Sequence, residues 1–219
     1  MNLLKNTAYL SLGIQVVTGL IEILGLTIKV PENIEIFRQL LELELFVQVI
    51  ELLFYIWLVQ NIHNKNITKY RYFDWFITTP TMLLTLMIYL DVNRKENTIL
   101  EYIKNNLQIV LVIFILNALM LFFGLLGELG VLQEKYAVMI GFIPFIMYYY
   151  IIYQKFIQDK NVPYEVKKVY YYFLVIWGLY GVAALLPFDY KNSMYNILDL
   201  FAKNFFGIFL VYIIYQNRN

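Results

Sequence analysis

Seven segments of about 20 predominantly apolar residues follow one another along this 219-residue chain, and each is long enough to cross a lipid bilayer. Hydrophobic residues make up 61% of the chain and charged residues 15%, against about 45–50% and about 25% in soluble domains. One soluble core of this size cannot hide that excess, so lipid is the predicted solvent. The predicted spans are residues 8–28, 36–59, 70–89, 109–129, 136–153, 169–186 and 194–215.

The connections between these segments are short, which favours antiparallel packing of neighbouring helices. The sequence therefore predicts an all-α membrane protein, a single seven-transmembrane-helix bundle that occupies residues 1–219. An amphipathic lead-in from Ile99 is expected before the fourth span. Lysine and arginine are more frequent in the connections on the C-terminal side, so the positive-inside rule predicts an outside N-terminus and an inside C-terminus.

Composition also excludes several functions. A net charge of +1 argues against nucleic-acid binding. The absence of cysteine excludes disulfides, thiol catalysis and cysteine-ligated metals. The one histidine, His63, lies in a polar connection and is interpreted as a solvated side chain. Neither a metal site nor enzymatic activity is predicted.

The third and seventh spans carry ionisable residues at bilayer depth, where charge is costly and usually functional. Arg71 and Asp74 lie in the third span, and Asp199 and Lys203 lie in the seventh. Asp199 and Lys203 are four residues apart and share one helix face. Spacing alone leaves two interpretations open: a structural ion pair, or a desolvated lysine that forms a Schiff base with a carbonyl.

Three motifs bear on that choice. Residues 71–80 read RYFDWFITTP, which resembles the Arg-Tyr-x-Asp-Trp-x-x-Thr-Thr-Pro motif in the third helix of microbial (type 1) rhodopsins. Residues 199–203 resemble that family's Asp-x-x-x-Lys site, and Trp177 and Tyr180 match its Trp-x-x-Tyr pair. The resemblance covers essentially the whole chain. The short loops and the glutamate-rich second span look most like the channelrhodopsin-like group I rhodopsins of giant algal viruses.

The resemblance implies a retinal cofactor, all-trans in the dark, held on Lys203 as a protonated Schiff base. Asp74 and Asp199 would be its counterions, with Arg71 beside them. Thr79 and Asn117 are expected to hydrogen-bond across the third and fourth helices. The implied cofactor-binding residues besides Lys203 are Trp75, Thr78, Thr79, Met82, Asn117, Trp177 and Tyr180.

Two positions depart from the pattern of the family's outward proton pumps. Those pumps carry a carboxylic acid five residues after the motif proline, where this chain has Thr85. They also tend to carry a glutamate eight residues before the aspartate of the seventh helix, where this chain has Lys191. Both differences weaken the pump interpretation without removing it.

The second span instead favours an ion path. Glu44, Gln48, Glu51 and Tyr55 recur at i, i+4, i+7 and i+11, which places them on one helix face. Carboxylates on such a face are expected to line a water-filled cavity, and acidic groups select cations. The alternative is that Glu44 and Glu51 are protonated and only hydrogen-bond between helices.

Two further residues are assigned to the predicted ion path by resemblance to channelrhodopsins. Asn204 matches their Lys-Asn pair, and Ser11 is expected to complete a gate with Glu51. The predicted function is a light-gated cation channel, with an outward proton pump and a photosensor acting through a partner protein as alternatives. The expected partners are membrane lipids and monovalent cations or protons, and homo-oligomerisation is left open. The predicted location is a membrane, that of the host cell if the protein is viral.

Overall fold

Long apolar runs form the helices of this protein, and prolines and polar clusters separate them. The computed structural model describes residues 2–218, which contain no β-strand. A 3₁₀ turn covers Glu32–Ile34, and π-helical turns cover Tyr153–Ile157 and Leu200–Asn204. The α-helices are α1 Asn2–Leu26, α2 Glu35–Gln60, α3 Ile67–Leu90, α4 Ile99–Asn105, α5 Leu107–Glu128, α6 Glu134–Ile152, α7 Tyr164–Ala184, α8 Phe188–Asp199 and α9 Phe205–Gln216.

Local sequence accounts for several helix ends. Pro163 and Pro187 directly precede α7 and α8, where the missing N–H of proline costs no helical hydrogen bond. Gly130 follows the end of α5 with a φ of +73°, a left-handed conformation that glycine adopts without a steric penalty. Thr98 caps α4 by accepting a hydrogen bond from the backbone N–H of Glu101.

Within residues 2–218, the helices form seven long helical segments, and these confirm the predicted seven-helix bundle. The π-helical turn at 200–204 joins α8 and α9 into one continuous helix, Phe188–Gln216, called the seventh helix below. Five of these seven helices are long and apolar enough to cross a membrane, judged by length and composition alone. The other two are α2, with 26 residues, and α7, with 21. The short lead-in helix α4 is also present.

Three predicted helix starts need correction. The first helix begins at Asn2 rather than residue 8, the sixth at Tyr164 rather than residue 169, and the seventh at Phe188 rather than residue 194. Hydropathy marks the part of a helix that lies in lipid, whereas each of these helices begins with a turn that carries polar residues. Lys191 therefore belongs to the seventh helix, not to a connection.

The distribution of side chains is that of a protein in lipid. Large apolar residues point outward, such as Leu24 and Phe73, which are 66% and 71% exposed. Charged residues lie inside, and Arg71 is fully buried. The helix α1 packs against α2 and against both halves of the seventh helix, while α3 packs against α2, α5 and α7. This arrangement brings the polar faces of α1, α2, α3 and the seventh helix together.

Candidate functional site

Lys203 lies at the centre of the bundle, within the π-helical turn of the seventh helix. Its Nζ is 2.7 Å from Asp74 Oδ2, 3.6 Å from Glu51 Oε1 and 3.9 Å from Asp199 Oδ1. All four side chains are at least 95% buried. π-Helical turns inside α-helices occur often at functional sites, and this one interrupts the helix at the lysine. A buried amine surrounded by carboxylates is thereby held as a cation with several partners.

Arg71 and Asp199 form the core of a second cluster beside this lysine. Arg71 Nη1 donates to Asp199 Oδ2 at 3.1 Å, and the guanidinium also donates to Asn196 Oδ1 and Asn192 Oδ1. The hydroxyls of Tyr55 and Tyr180 each donate to Asp199, both at 2.7 Å.

Hydrogen bonds extend this cluster to α1 and to the start of α3. Asn196 donates to Thr7 Oγ1 at 2.9 Å, and Thr68 exchanges hydrogen bonds with Asn192. We call the cluster the arginine network. It comprises Thr7, Tyr55, Thr68, Arg71, Tyr180, Asn192, Asn196 and Asp199.

An apolar cavity extends from Lys203 towards α5, α6 and α7. Aromatic and small side chains make up most of its wall. Of the predicted cofactor-binding residues, Trp75, Thr79, Met82, Trp177, Tyr180 and Lys203 line it. The lining also includes Tyr72 of the third-helix motif and residues of α5, α6, α7 and the seventh helix, among them Met120, Leu121, Gly124, Gly141, Phe142, Phe145, Gly181 and Tyr195.

Two predicted cofactor-binding residues lie behind the cavity wall and not on it. Thr78 is fully buried and donates to the backbone oxygen of Asp74 at 2.9 Å. Asn117 donates to Thr79 Oγ1 at 2.8 Å, so the expected hydrogen bond between the third and fourth membrane helices is formed. Both residues support side chains that face the cavity or Lys203.

A polar stripe on α1 faces the predicted stripe on α2. Ser11, Gln15, Thr18 and Glu22 recur at i, i+4, i+7 and i+11, and none is more than 1% exposed. The sequence drew attention to Ser11 and to Glu22 as single residues, but not to the stripe. The stripe has the same spacing as Glu44, Gln48, Glu51 and Tyr55, so the period of polar residues in α1 predicts it.

The space between α1, α2 and the seventh helix is poorly hydrogen-bonded. Gln48 Nε2 donates to the backbone oxygen of Gln15 at 3.0 Å and lies 3.3 Å from Asn204 Oδ1. Within residues 2–218, both amide atoms of Gln15, both carboxylate oxygens of Glu51 and the Asn204 amide nitrogen have no hydrogen-bond partner. One carboxylate oxygen each of Glu22 and Glu44 also has none there. We call these five residues and Gln48 the seam.

The structure separates residues that the sequence analysis grouped in one gate. Ser11 donates to the backbone oxygen of Asn196 at 2.8 Å and so belongs beside the arginine network. Asn204 is in contact with Gln48, and Glu51 lies nearest to Lys203. The expected Ser11–Glu51 pair is not formed, because Ser11 is engaged by the seventh helix.

Lys191 is buried near the start of the seventh helix, although it precedes the predicted span at residues 194–215. Its Nζ is 2.7 Å from Glu128 Oε1 and also pairs with Glu134. The lysine thereby ties the seventh helix to the ends of α5 and α6.

The family comparison identifies the chain. The family model described as bacteriorhodopsin-like protein matches residues 5–217, which is almost the whole chain. The chain belongs to the bacteriorhodopsin-like family of microbial rhodopsins. This rhodopsin is a multi-pass membrane protein, and proteins of its family bind retinal as chromophore.

Solved structures of other microbial rhodopsins share the fold. The viral rhodopsin OLPVRII is 27% identical, with 98% of each chain covered and a TM-score of 0.82. Blue light-absorbing proteorhodopsin from Med12 is 17% identical, with 97% of each chain covered and a TM-score of 0.76. Xanthorhodopsin, described as a light-driven ion pump with dual chromophore, is 19% identical over 99% of this chain and 94% of its own, with a TM-score of 0.75. No curated protein matches the chain in sequence.

The residues of this rhodopsin fit a retinal. The cavity is apolar, and Lys203 is the only lysine that lines it within the described part of the chain. Glycines at 124 and 181 leave room for two of its aromatic side chains, because a Cβ at either position would lie 2.5 Å from Tyr72 or Phe142. A polyene with a terminal carbonyl requires this combination of an apolar slot and an amine at one end.

Proposed function

We propose that this rhodopsin is a light-gated cation channel whose ion path follows the seam between α1, α2 and the seventh helix. The observation that carries the proposal is the concentration of buried polar atoms without partners in the seam. An unsatisfied buried polar group costs about 1–3 kcal/mol. Water resolves that cost, because a polar site with several donors and acceptors is one that water enters.

The charges along the seam support cations as the permeating ions. Glu22, Glu44 and Glu51 lie along it, and Lys203 is the one basic residue that the described contacts place against it. Carboxylates that face a hydrated path attract cations and exclude anions. Monovalent cations and protons are the permeating ions that we propose.

Retinal, when bound, supplies light absorption and a change of shape at Lys203, with the all-trans form as the proposed dark state. The proton at the lysine nitrogen has its nearest carboxylate acceptor in Asp74, at 2.7 Å. Transfer to Asp74 removes the positive charge that lies 3.6 Å from Glu51. Glu51 then loses its cationic partner and is free to turn towards water in the seam.

The path also has a direction in this proposal. The arginine network lies at the end of the bundle that contains the N-terminus of α1, which the positive-inside rule predicts to be outside. Glu22 and Glu44 lie towards the opposite end, which is the predicted inner end. In this proposal the channel is closed in the dark by dense hydrogen bonding on the outer side and by the buried carboxyl groups on the inner side.

An outward proton pump is the second candidate, and one observation favours it. Glu44 lies within hydrogen-bonding reach of Thr85, the position where outward pumps of this family carry a carboxylic acid. A carboxyl group of α2 thus lies in the region where outward pumps carry a proton-donating carboxylic acid on α3. Reprotonation of Lys203 from this side would require Glu44 to release a proton in each photocycle.

Photocurrent recorded against voltage in cells that express the protein separates the candidates. A channel gives currents that reverse with voltage and shift with the cation gradient. Glu51→Ala is expected to change gating or selectivity, and Glu44→Ala to reduce conductance. Glu42→Ala is the matched control, because Glu42 is half exposed on the same helix and pairs with Arg38.

Other outcomes reject the channel. A current that stays outward at all voltages, with steady acidification of the medium in light, identifies the pump. Coloured, well-expressed protein without current or acidification identifies a photosensor that acts through a partner.

A further inference from the structure

The end of the seam farthest from the arginine network is formed by two carboxyl groups. Glu22 of α1 is 1% exposed and Glu44 of α2 is 2% exposed. Each has one carboxylate oxygen that finds no hydrogen-bond partner among residues 2–218. On either side of Glu22, Gly19 lies against Gln48 and Gly25 lies against Leu41, so the antiparallel register of α1 and α2 sets Glu22 opposite Glu44. The two buried carboxyl groups are therefore neighbours across the contact between α1 and α2.

The charged and polar surroundings do not compensate two negative charges. Around Glu44, the neighbours that act on it are the hydroxyl of Thr85 on α3 and the more distant amine of Lys203 on the seventh helix. Around Glu22, the acting neighbour is Glu44 itself, and the seventh helix offers the bare backbone of Gly207. Lys203 is already engaged by Asp74, Glu51 and Asp199.

The carboxyl groups of Glu22 and Glu44 cannot both stay negatively charged in this buried site. Two carboxylates that share a low-dielectric site favour a state in which one holds a proton and donates it to the other. The free oxygens of Glu22 and Glu44 are the atoms available for that hydrogen bond. One shared proton removes both the repulsion and the unsatisfied acceptors.

Gly207 connects this pair to the chromophore. It lies four residues after Lys203 on the seventh helix, so the two share one helix face. A Cβ at residue 207 would overlap Glu22 Oε1, so α1 and the seventh helix reach this closeness only because residue 207 has no side chain. Movement of the seventh helix at Lys203 is thereby transmitted to the Glu22 carboxyl.

We propose that Glu22 and Glu44 share one proton in the dark and, held against Gly207, close the inner end of the seam. Displacement of the seventh helix in light separates the two carboxyls. The proton stays on one, and the other faces the seam as a carboxylate. The gating part of this proposal rests on the proposed channel function, whereas the shared proton does not.

Infrared difference spectra of the pigment, recorded light minus dark, test the shared proton. We expect a protonated-carboxyl band that shifts in D₂O and is lost or moved in both Glu22→Gln and Glu44→Gln. Glu42→Gln is the control and leaves this band unchanged. A band that neither substitution affects, or that only one affects, rejects a shared proton.

Gly207→Ala tests the mechanical contact, with Gly13→Ala as the control because nothing lies within 4 Å of a Cβ at residue 13. We expect Gly207→Ala to slow the return to the dark state at least tenfold, and to do nothing further in a Glu22→Ala background. Additive effects of the two substitutions would overturn the contact. If the protein carries no photocurrent, the channel proposal fails, and the infrared bands and the dark-recovery rate still decide the carboxyl pair.

Discussion

The arginine network and the seam bury similar polar residues in neighbouring parts of one bundle, yet their hydrogen bonding differs. In the arginine network, Asp199 accepts from Arg71, Tyr55 and Tyr180. In the seam, neither carboxylate oxygen of Glu51 has a hydrogen-bond partner within the described residues, although Glu51 is fully buried. Since both carboxylates are equally buried, the two regions differ in how many of their polar atoms form hydrogen bonds and not in how many polar residues they contain.

This contrast separates two physical roles. A fully satisfied buried network is rigid, because moving any member leaves a charge without its partner. A region with few internal hydrogen bonds loses few of them when its helices separate. Water that enters such a region forms hydrogen bonds with its unpaired polar atoms and so stabilises the open state. The arginine network is thus suited to fix the seventh helix, and the seam is suited to change.

The largest expected effect comes from the residue that touches both regions. Lys203→Ala should abolish the visible absorption formed on addition of retinal, because it removes the one amine that lines the cavity in the described structure. Lys191→Ala is the matched control: Lys191 is also buried in the seventh helix, but Glu128 and Glu134 hold it away from the cavity. A Lys203→Ala pigment that survives hydroxylamine in the dark would disprove the assignment of Lys203.

The next prediction compares equivalent amide substitutions in the two regions. Asp199→Asn should lower the free energy of unfolding by about 3–5 kcal/mol, because it leaves the guanidinium of Arg71 buried without its counter-charge. Glu51→Gln should change it by less than about 1 kcal/mol, because it breaks no hydrogen bond and Lys203 keeps Asp74 as its carboxylate partner at 2.7 Å. Thermal bleaching of both variants provides the measurement. Equal losses would show that the seam is as rigid as the arginine network.

The primary counterion can be tested by colour. Asp74→Asn should shift the absorption of the pigment to the red, because a carboxylate 2.7 Å from the Lys203 nitrogen stabilises the ground-state cation. Glu51→Gln, which removes a charge at 3.6 Å, should give a smaller shift. An unchanged spectrum in Asp74→Asn would transfer the role to Asp199.

Sequence alone predicted the parts of the site that local motifs specify. The motif at residues 71–80 identified Asp74 and Trp75, and the spacing of Asp199 and Lys203 placed them on one face. Periodicity in α2 indicated the stripe that contains Glu51. These predictions needed only helix geometry and the resemblance to a known family.

The remainder depended on contacts between helices. Ser11 was expected beside Glu51, but its hydroxyl bonds to the seventh helix, and no rule of local sequence specifies that rotation of α1. Lys191 follows a proline and a polar turn, which looks like a loop until the helix is seen to continue through it. Gly207 acquires meaning only because Glu22 lies against it.

The smallest expected effect on stability is also the sharpest test of water in the seam. Both amide atoms of Gln15 lack hydrogen-bond partners within residues 2–218, and the residue is fully buried. Gln15→Leu removes that unsatisfied amide, so the free energy of unfolding should stay unchanged or rise by about 1 kcal/mol. The added apolar surface should nevertheless exclude water beside Gln48 and Glu51, and the photocurrent should fall severalfold while the absorption spectrum stays constant.

A large loss of stability would mean that Gln15 belongs to a rigid network, and an unchanged current would mean that ions follow another path. Gln15→Leu is predicted to change the stability little and the photocurrent strongly. This one variant therefore distinguishes a hydrated ion path from a core that only contains unpaired polar groups.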